Sequence, residues 1–402
     1  MSENPIGLFH NIVRDGALTA GTELAANLVS RIADDTRFTK WVATSAADTY
    51  IEVITKNWLR NGGWESNDGD WTLIIADTAT VEYSRSIDNP SSGVGHGKLD
   101  QTAHTSGAVY LESNQGFLLE EGKTYQLSGS IRAEDAGPYT VSIRVVDEDG
   151  ATITDANEDI SADASWDSGH CRFTPTQDYP DARIRLVIPT DLKEYYFDDI
   201  LFCELRTVNT AIVDKGHTLR GGSYDIQVKD HLYDSYTSVE TGTITSDKEW
   251  YEEFSPTNQG AYFRIDWTGL DRTPEIPQLW LGERTNFTRN PTNYDPDHTL
   301  RTIKETQSEA GIVRTSHKFT EDMFDADWNH LHPVDDWPLF GQIIKDLGKG
   351  ATPFFWFIWR PTSDPTDIRF IRLSGRKLAG PYSGHLRSFG IEGKEILGAF
   401  EV

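Results

Sequence analysis

The chain has 402 residues, of which 37 are Lys or Arg and 63 are Asp or Glu, giving a formal charge of -26. That excess of carboxylates excludes the phosphate neutralisation on which nucleic-acid binding rests and works equally against anionic membrane surfaces. With 12 Trp, 15 Tyr and 18 Phe the sequence carries enough large apolar groups to fold, and its length suits two or three domains of roughly 150 residues each.

Self-repulsion at this charge is relieved by salt, so the acidity fits a saline habitat and plain solubility equally well. The opening "MSENPIGLFHNIVRDG" lacks a basic segment followed by an apolar run, and no stretch reaches the ~20 apolar residues that span a bilayer. The expectation is a protein made in the cytoplasm, without a signal peptide and without membrane insertion. Cys171 and Cys203 are the two cysteines, too few for a thiolate metal site, and they read as buried thiols.

In chain order, apolar spacing of three and four predicts a first helix over residues 23–35. "DDTRFTKW" then places Trp41 after a loop, where it plugs the end of a sandwich, and alternation predicts a strand over 49–55. "NWLRNGGWESNDGDWTLI", residues 57–74, has the character of a domain opening although structured text precedes it. "EEGKTY" is a tight turn at Gly122 that launches a strand with Tyr125, Leu127, Gly129 and Ile131 on one face and Gln126 and Ser128 on the other.

Further strands are predicted over 139–147, 182–188, 261–267 and 367–375. "TNFTRNPTNYDPDHT" has linker composition, and Glu309, Ala310 and Gly311 form the turn of a hairpin. "WNHLHPVDDW" gathers His330, His332, Asp335 and Asp336, which read as polar loop residues before they read as a metal cluster. A second helix is predicted over 338–348. The pattern is all-β, of sandwich type. Nucleophile elbows, zinc-protease helices, phosphate loops and dinucleotide fingerprints are absent from the sequence, so no catalytic residue is assigned.

Three phrases of the middle block carry a resemblance: "NGGWE" with a following Trp, "GKTYQLSGSIRA", and a "W...RFTP" strand before a final "FDDILF". Their order resembles the jelly-roll carbohydrate-binding modules found beside bacterial glycanases, with Trp64 where the family usually has Phe. The resemblance implies a β-sandwich over 57–205. It also implies a structural calcium site joining the two chain ends, held by Glu65 and either Asp198 or Asp199 with backbone carbonyls. The plainer alternative is that Glu65 caps a turn while the two Asp alternate along a strand.

Sugar binding needs aromatic faces with polar neighbours, and Tyr110, Tyr139 and Tyr179 are the candidates. Trp166 stands where that family has a core-facing Trp.

Read continuously, the flanking pieces, "RFTKW", "GHTL", "YDIQV", "AYFRIDWTG" and "EIPQLWLGE", resemble a discoidin-like jelly roll formed by 1–56 and 206–284, with the middle module inserted and the outer domain serving as scaffold. Residues 285–402, a helix followed by "PFFWFIWRP" and curved strands, resemble the C-terminal region of distal-tail or tail-tip proteins of tailed viruses. The resemblance implies a virion protein of the tail tip or baseplate, assembled as a ring-like homo-oligomer against the tail tube and hub. The inserted module would then touch a host surface glycan. A cellular or secreted glycan-binding protein, or an accessory module of a polysaccharide-degrading system, is the alternative class.

Overall fold

The computed structural model describes residues 6–8, 17–20, 41–44, 49–59, 62–64, 69–75, 79–104, 107–230, 234–254, 258–294, 299–307, 313–348, 354–361, 364–382 and 386–395. Glu65, the helix expected over 23–35 and the hairpin turn at 309–311 lie outside them. The protein is all-β, built of antiparallel sheets, with the helix Trp337–Gly348 where the second periodic segment predicts one.

The middle block is a two-sheet sandwich. One sheet runs in the order Asp167–Phe173, Tyr125–Ala133, Glu194–Glu204, His96–His104, Ala79–Ser86. The other runs Thr152–Ala162, Tyr139–Val146, Tyr179–Ile188, Val109–Ser113, Trp71–Ile75, with Phe117–Leu119 beside Tyr179–Ile188. Alternate residues turn inward, so Leu127, Ile131, Val141, Ile143, Ile184, Leu186 and Phe197 are fully buried between the sheets. Each such side chain contributes about 1.5–3 kcal/mol by leaving water. Trp64 and Trp71 stack at 5.2 Å and 14° in the same core.

The chain enters and leaves this sandwich at one place. Asn57 is the clasp: its Nδ2 donates to Ile200 O (3.0 Å), and its Oδ1 accepts from the amides of Leu59 (3.0 Å) and Phe202 (2.9 Å). Immediately outside, Thr55 N donates to Ala261 O (2.8 Å), tying the strand before the sandwich to one that follows it by some 200 residues of sequence. Thr49–Ile54 accordingly pairs with Tyr262–Thr268 and with Ala17–Ala20.

That sheet continues through Ser223–Lys229 to Thr237–Thr243, and faces Trp250–Glu253, Thr210–Val213 and Leu279–Gly282. Trp41, Ile51, Val53, Val213, Ile226, Phe263, Ile265 and Trp267 fill the space between. Trp41 is completely buried in this core.

The third unit is an eight-stranded sheet whose long strands Val313–Leu331, Asp364–Tyr382 and Leu386–Glu395 lie beside Phe354–Arg360. The helix packs on it through Phe340 and Ile343, against Phe287, Trp328, Phe357 and Phe389. Ile6–Leu8, grouped with the outer domain on sequence order, pairs here instead, with Gly7 opposite Phe357 and Leu8 opposite Trp356. The short N-terminal strand fills the ladder between Phe354–Arg360 and Thr285–Asn286, and Trp356 and Ile358 of the former sit in an apolar cluster with Ile212 and Trp280 of the neighbouring unit.

Candidate functional site

The outward face of the six-stranded sheet is open and polar. Residues that pair across neighbouring strands share a face, so the register reads off two parallel rows. One row is Ile74, Tyr110, Val187, Ser142 and Asp159; the other is Thr72, Glu112, Arg185, Arg144 and Asn157.

Within these rows the Arg185 guanidinium lies 4.6 Å from the centroid of the Tyr110 ring. Its Nε donates to Glu112 Oε2 (2.5 Å) and its Nη1 to Gly150 O (3.0 Å). Arg183, two residues earlier on the same face, reaches Glu112 (3.4 Å) and Asp181 (3.1 Å). Asp159 accepts from the Ser142 hydroxyl and from Asn157 Nδ2 (3.3 Å). An aromatic ring beside hydroxyl, amide, carboxylate and guanidinium groups can stack on an apolar ring face while hydrogen-bonding its edge.

Of the three tyrosines singled out from sequence, only Tyr110 lies on this face. Tyr139 begins its strand with the same parity as Val141 and Ile143, so it turns toward the core: its ring meets Tyr195 edge-on at 6.0 Å and its hydroxyl donates to Asp135 (2.8 Å). Tyr179 sits opposite Leu119 and packs against the core rim. Arg183, Arg185 and Val187 in "ARIRLVI" alternate onto one side in the sequence itself, whereas Arg144 and Glu112 join them only through the register of separate strands.

The outward face of the five-stranded sheet is mostly covered. The neighbouring sandwich closes one end, where Gln126 and Arg172 meet Asp230 and where Leu201, Cys203 and Leu205 pack on Ala261 and Tyr262. At the other end the loop over 87–95 folds down, Trp166 Nε1 donating to Asn89 O (3.1 Å). Trp166 therefore belongs to this outer face and not to the core. It stands one residue before the strand Asp167–Phe173, where alternation does not yet fix a side.

The Trp166 ring meets His96 edge-on at 5.7 Å, His96 meets Tyr196 at 5.2 Å, and Arg132 lies over the Tyr196 ring at 4.1 Å. His96 is completely buried, and neither ring nitrogen is hydrogen-bonded among the described residues; burial, helped by the charge of Arg132, holds its pKa down at about 4.

Asp198 lies under the same loop. Its Oδ2 accepts from the amides of Ser91 (2.8 Å) and Ser92 (3.1 Å), and its Oδ1 from the amide of Asp199 (2.8 Å). Burial, and then the Asp199 carboxylate alongside, push it up to about 7. Asp199 takes a left-handed φ of 51° and accepts from the Ser92 hydroxyl (2.5 Å). Trp64, with φ 48°, makes the matching turn on the incoming strand, where Ile200 N donates to Gly62 O (3.0 Å). The two carboxylates thus stand at the junction of the chain ends. A hard cation is compatible with the charge of two adjacent carboxylates.

His332, Asp335 and Asp336 form a turn ahead of the helix, tied to Thr288 and Arg289. Asp336 accepts from His332 N (2.8 Å) and from Thr288 (2.9 Å) and pairs with Arg289 (3.0 Å), while His332 Nδ1 accepts from the amides of Val334 and Asp335. Among the described residues no group of three or more His, Cys, Asp or Glu is arranged to hold a metal.

No protein-family model matches the chain, and no curated protein matches it. Several solved structures are similar to about a third of it. The enzymatically active domain of tailspike protein 4 of bacteriophage CBA120 matches 37% of this chain and 21% of its own, at 17% identity and TM-score 0.29. A CBM22-1 xylan-binding domain from Paenibacillus barcinonensis matches 36% of this chain and 91% of its own, at 15% identity and TM-score 0.28. The family 11 carbohydrate-binding module of a Clostridium thermocellum cellulosomal cellulase matches 37% and 94%, at 15% identity and TM-score 0.26.

Proposed function

We propose that this chain is a structural protein of a virus tail tip or baseplate whose middle sandwich binds a saccharide on the open face of its six-stranded sheet. The observation that supports binding there is the pair of rows centred on Tyr110 and Arg185: a ring to stack on, flanked by groups that donate to and accept from hydroxyls. The role is binding and assembly, not chemistry. The sandwich over 57–205 acts as an insertion in an outer domain formed by 206–284 and the segment before the sandwich, apart from Ile6–Leu8; 285–402, with Ile6–Leu8 in its sheet, is the assembly domain. Copies ring the tail against tube and hub proteins, so that individually weak glycan contacts add as avidity.

Two experiments test this reading. The full chain and its Tyr110→Ala variant are applied to a glycan array, where the variant is expected to lose about tenfold in affinity; equal binding by the two proteins removes the Tyr110 face from consideration. Antibody-gold electron microscopy on virions then checks the tail tip, and label confined to cellular material defeats the virion assignment.

We also propose that calcium is held at the chain-end junction by Glu65, Asp198 and Asp199, tying the first strand to the last. The support is the adjacent carboxylates and the burial of Asp198. Chelation is expected to lower the melting temperature of the full chain and added calcium to restore it; a melting curve indifferent to both removes the ion.

A further inference from the structure

We infer that the saccharide bound on the Tyr110 face carries a carboxylate and that Arg144 receives it, an inference that rests on reading that face as a saccharide site. Three guanidinium groups, those of Arg144, Arg183 and Arg185, occupy one patch of a chain whose net charge is -26. The acceptors around them are already engaged. Glu112 serves Arg183 and Arg185, Asp181 serves Arg183, the Gly150 carbonyl serves Arg185, and Asp159 serves Ser142 and Asn157.

Arg144 is left over. It stands directly opposite Arg185 in the register, its Nε is buried with no hydrogen-bond partner, and none of its nitrogens pairs with a described carboxylate. Like charges directly opposite each other destabilise a sheet, and a buried donor without an acceptor adds to that cost. An incoming anion removes both penalties at once.

The guanidinium fork matches a planar carboxylate in a bidentate pair. Arg144 is two strands across and two residues along from Tyr110, about 12 Å at the usual strand spacing and rise, with Ser142 and Asn157 nearby to meet hydroxyls. One ring of an acidic saccharide would stack on Tyr110 while the carboxylate of a linked ring reaches Arg144.

The test measures binding of the full chain to oligomers of galacturonic, glucuronic and mannuronic acid, each beside its neutral methyl ester, with a sulfated oligosaccharide as a further arm. At least one acid is expected to bind about tenfold tighter than its ester, and salt at about 0.5 M to weaken the acid and spare the ester. Arg144→Gln is expected to bring acid and ester to equal affinity, whereas Tyr110→Ala weakens both. Arg144→Lys, which keeps the charge without the fork, retains part of the preference and serves where the Gln variant folds poorly.

A preference that survives in Arg144→Gln, equal affinity of wild type for acid and ester, or tighter binding of the sulfated probe overturns the inference. Binding of neutral oligosaccharides alone overturns it and leaves the saccharide reading standing; binding of no saccharide overturns both.

Discussion

His96 is buried between Trp166 and Tyr196, in the field of Arg132, Arg85 and Lys98, with only Asp88 opposing. Its folded pKa, about 4, lies below the ordinary 6.5, so folding favours the neutral ring. The stability this confers is fully present above pH 6.5 and is lost as the pH falls through 4, by about 3 kcal/mol when complete. Urea midpoints of wild type and His96→Gln, compared at pH 7 and pH 4.5, check this: the wild type is expected to lose more on acidification. Asp198 titrates in both proteins and cancels in the difference. Equal acid losses in the two proteins would remove His96 as the sensor.

Two elements are held by contacts that a single substitution reaches. The loop over 87–95 is pinned by the amides of Ser91 and Ser92 on Asp198. Asp198→Ala removes the acceptor of three amides, those of Ser91, Ser92 and Asp199, a loss of about 3 kcal/mol, and is expected to speed hydrogen exchange at 91 and 92 in the absence of calcium as well as in its presence. Unchanged protection would show that the loop is held otherwise. The strand His96–His104 passes so close to Trp64 that a Cβ on Gly97 falls 2.6 Å from its indole ring. Gly97→Ala must displace a fully buried tryptophan stacked on Trp71. A cost of about 1–3 kcal/mol is expected in chemical denaturation, and a neutral result would mean the ring has room to retreat.

At the scale of the molecule, three apolar cores are joined by two smaller apolar contacts. Leu201, Cys203 and Leu205 meet Ala261 and Tyr262 beneath the middle sandwich, and Ile212 and Trp280 meet Trp356 and Phe370 on the other side. Among the described residues no strand of the middle sandwich belongs to another unit's sheet. Deleting residues 58–204 and bridging with a short linker is therefore expected to leave a remainder that folds and melts cooperatively, somewhat destabilised by the exposed Tyr262 patch. A remainder without β structure by circular dichroism would show that the outer sheets need the middle one.

Alternation along strands is local, and so the sequence by itself determined the all-β class, the shared face of Tyr125, Leu127, Gly129 and Ile131, the burial of Trp41, Cys171 and Cys203, and the second helix. Composition set the acidity. Placement across strands was decided only by tertiary structure, because a face is shared by residues far apart in the chain: Arg144 meets Arg185, and Tyr110 meets Val187, through registers that hydrogen bonding between distant strands alone defines. The same physics put Tyr179 opposite Leu119 at the core rim, took Trp166 to an outer face beneath a folded loop, and set Ile6–Leu8 between Thr285–Asn286 and Phe354–Arg360, while the inward side of Tyr139 was already legible in its parity with Val141 and Ile143. A strand's period fixes which side a residue takes, while the fold chooses which side is open to a ligand.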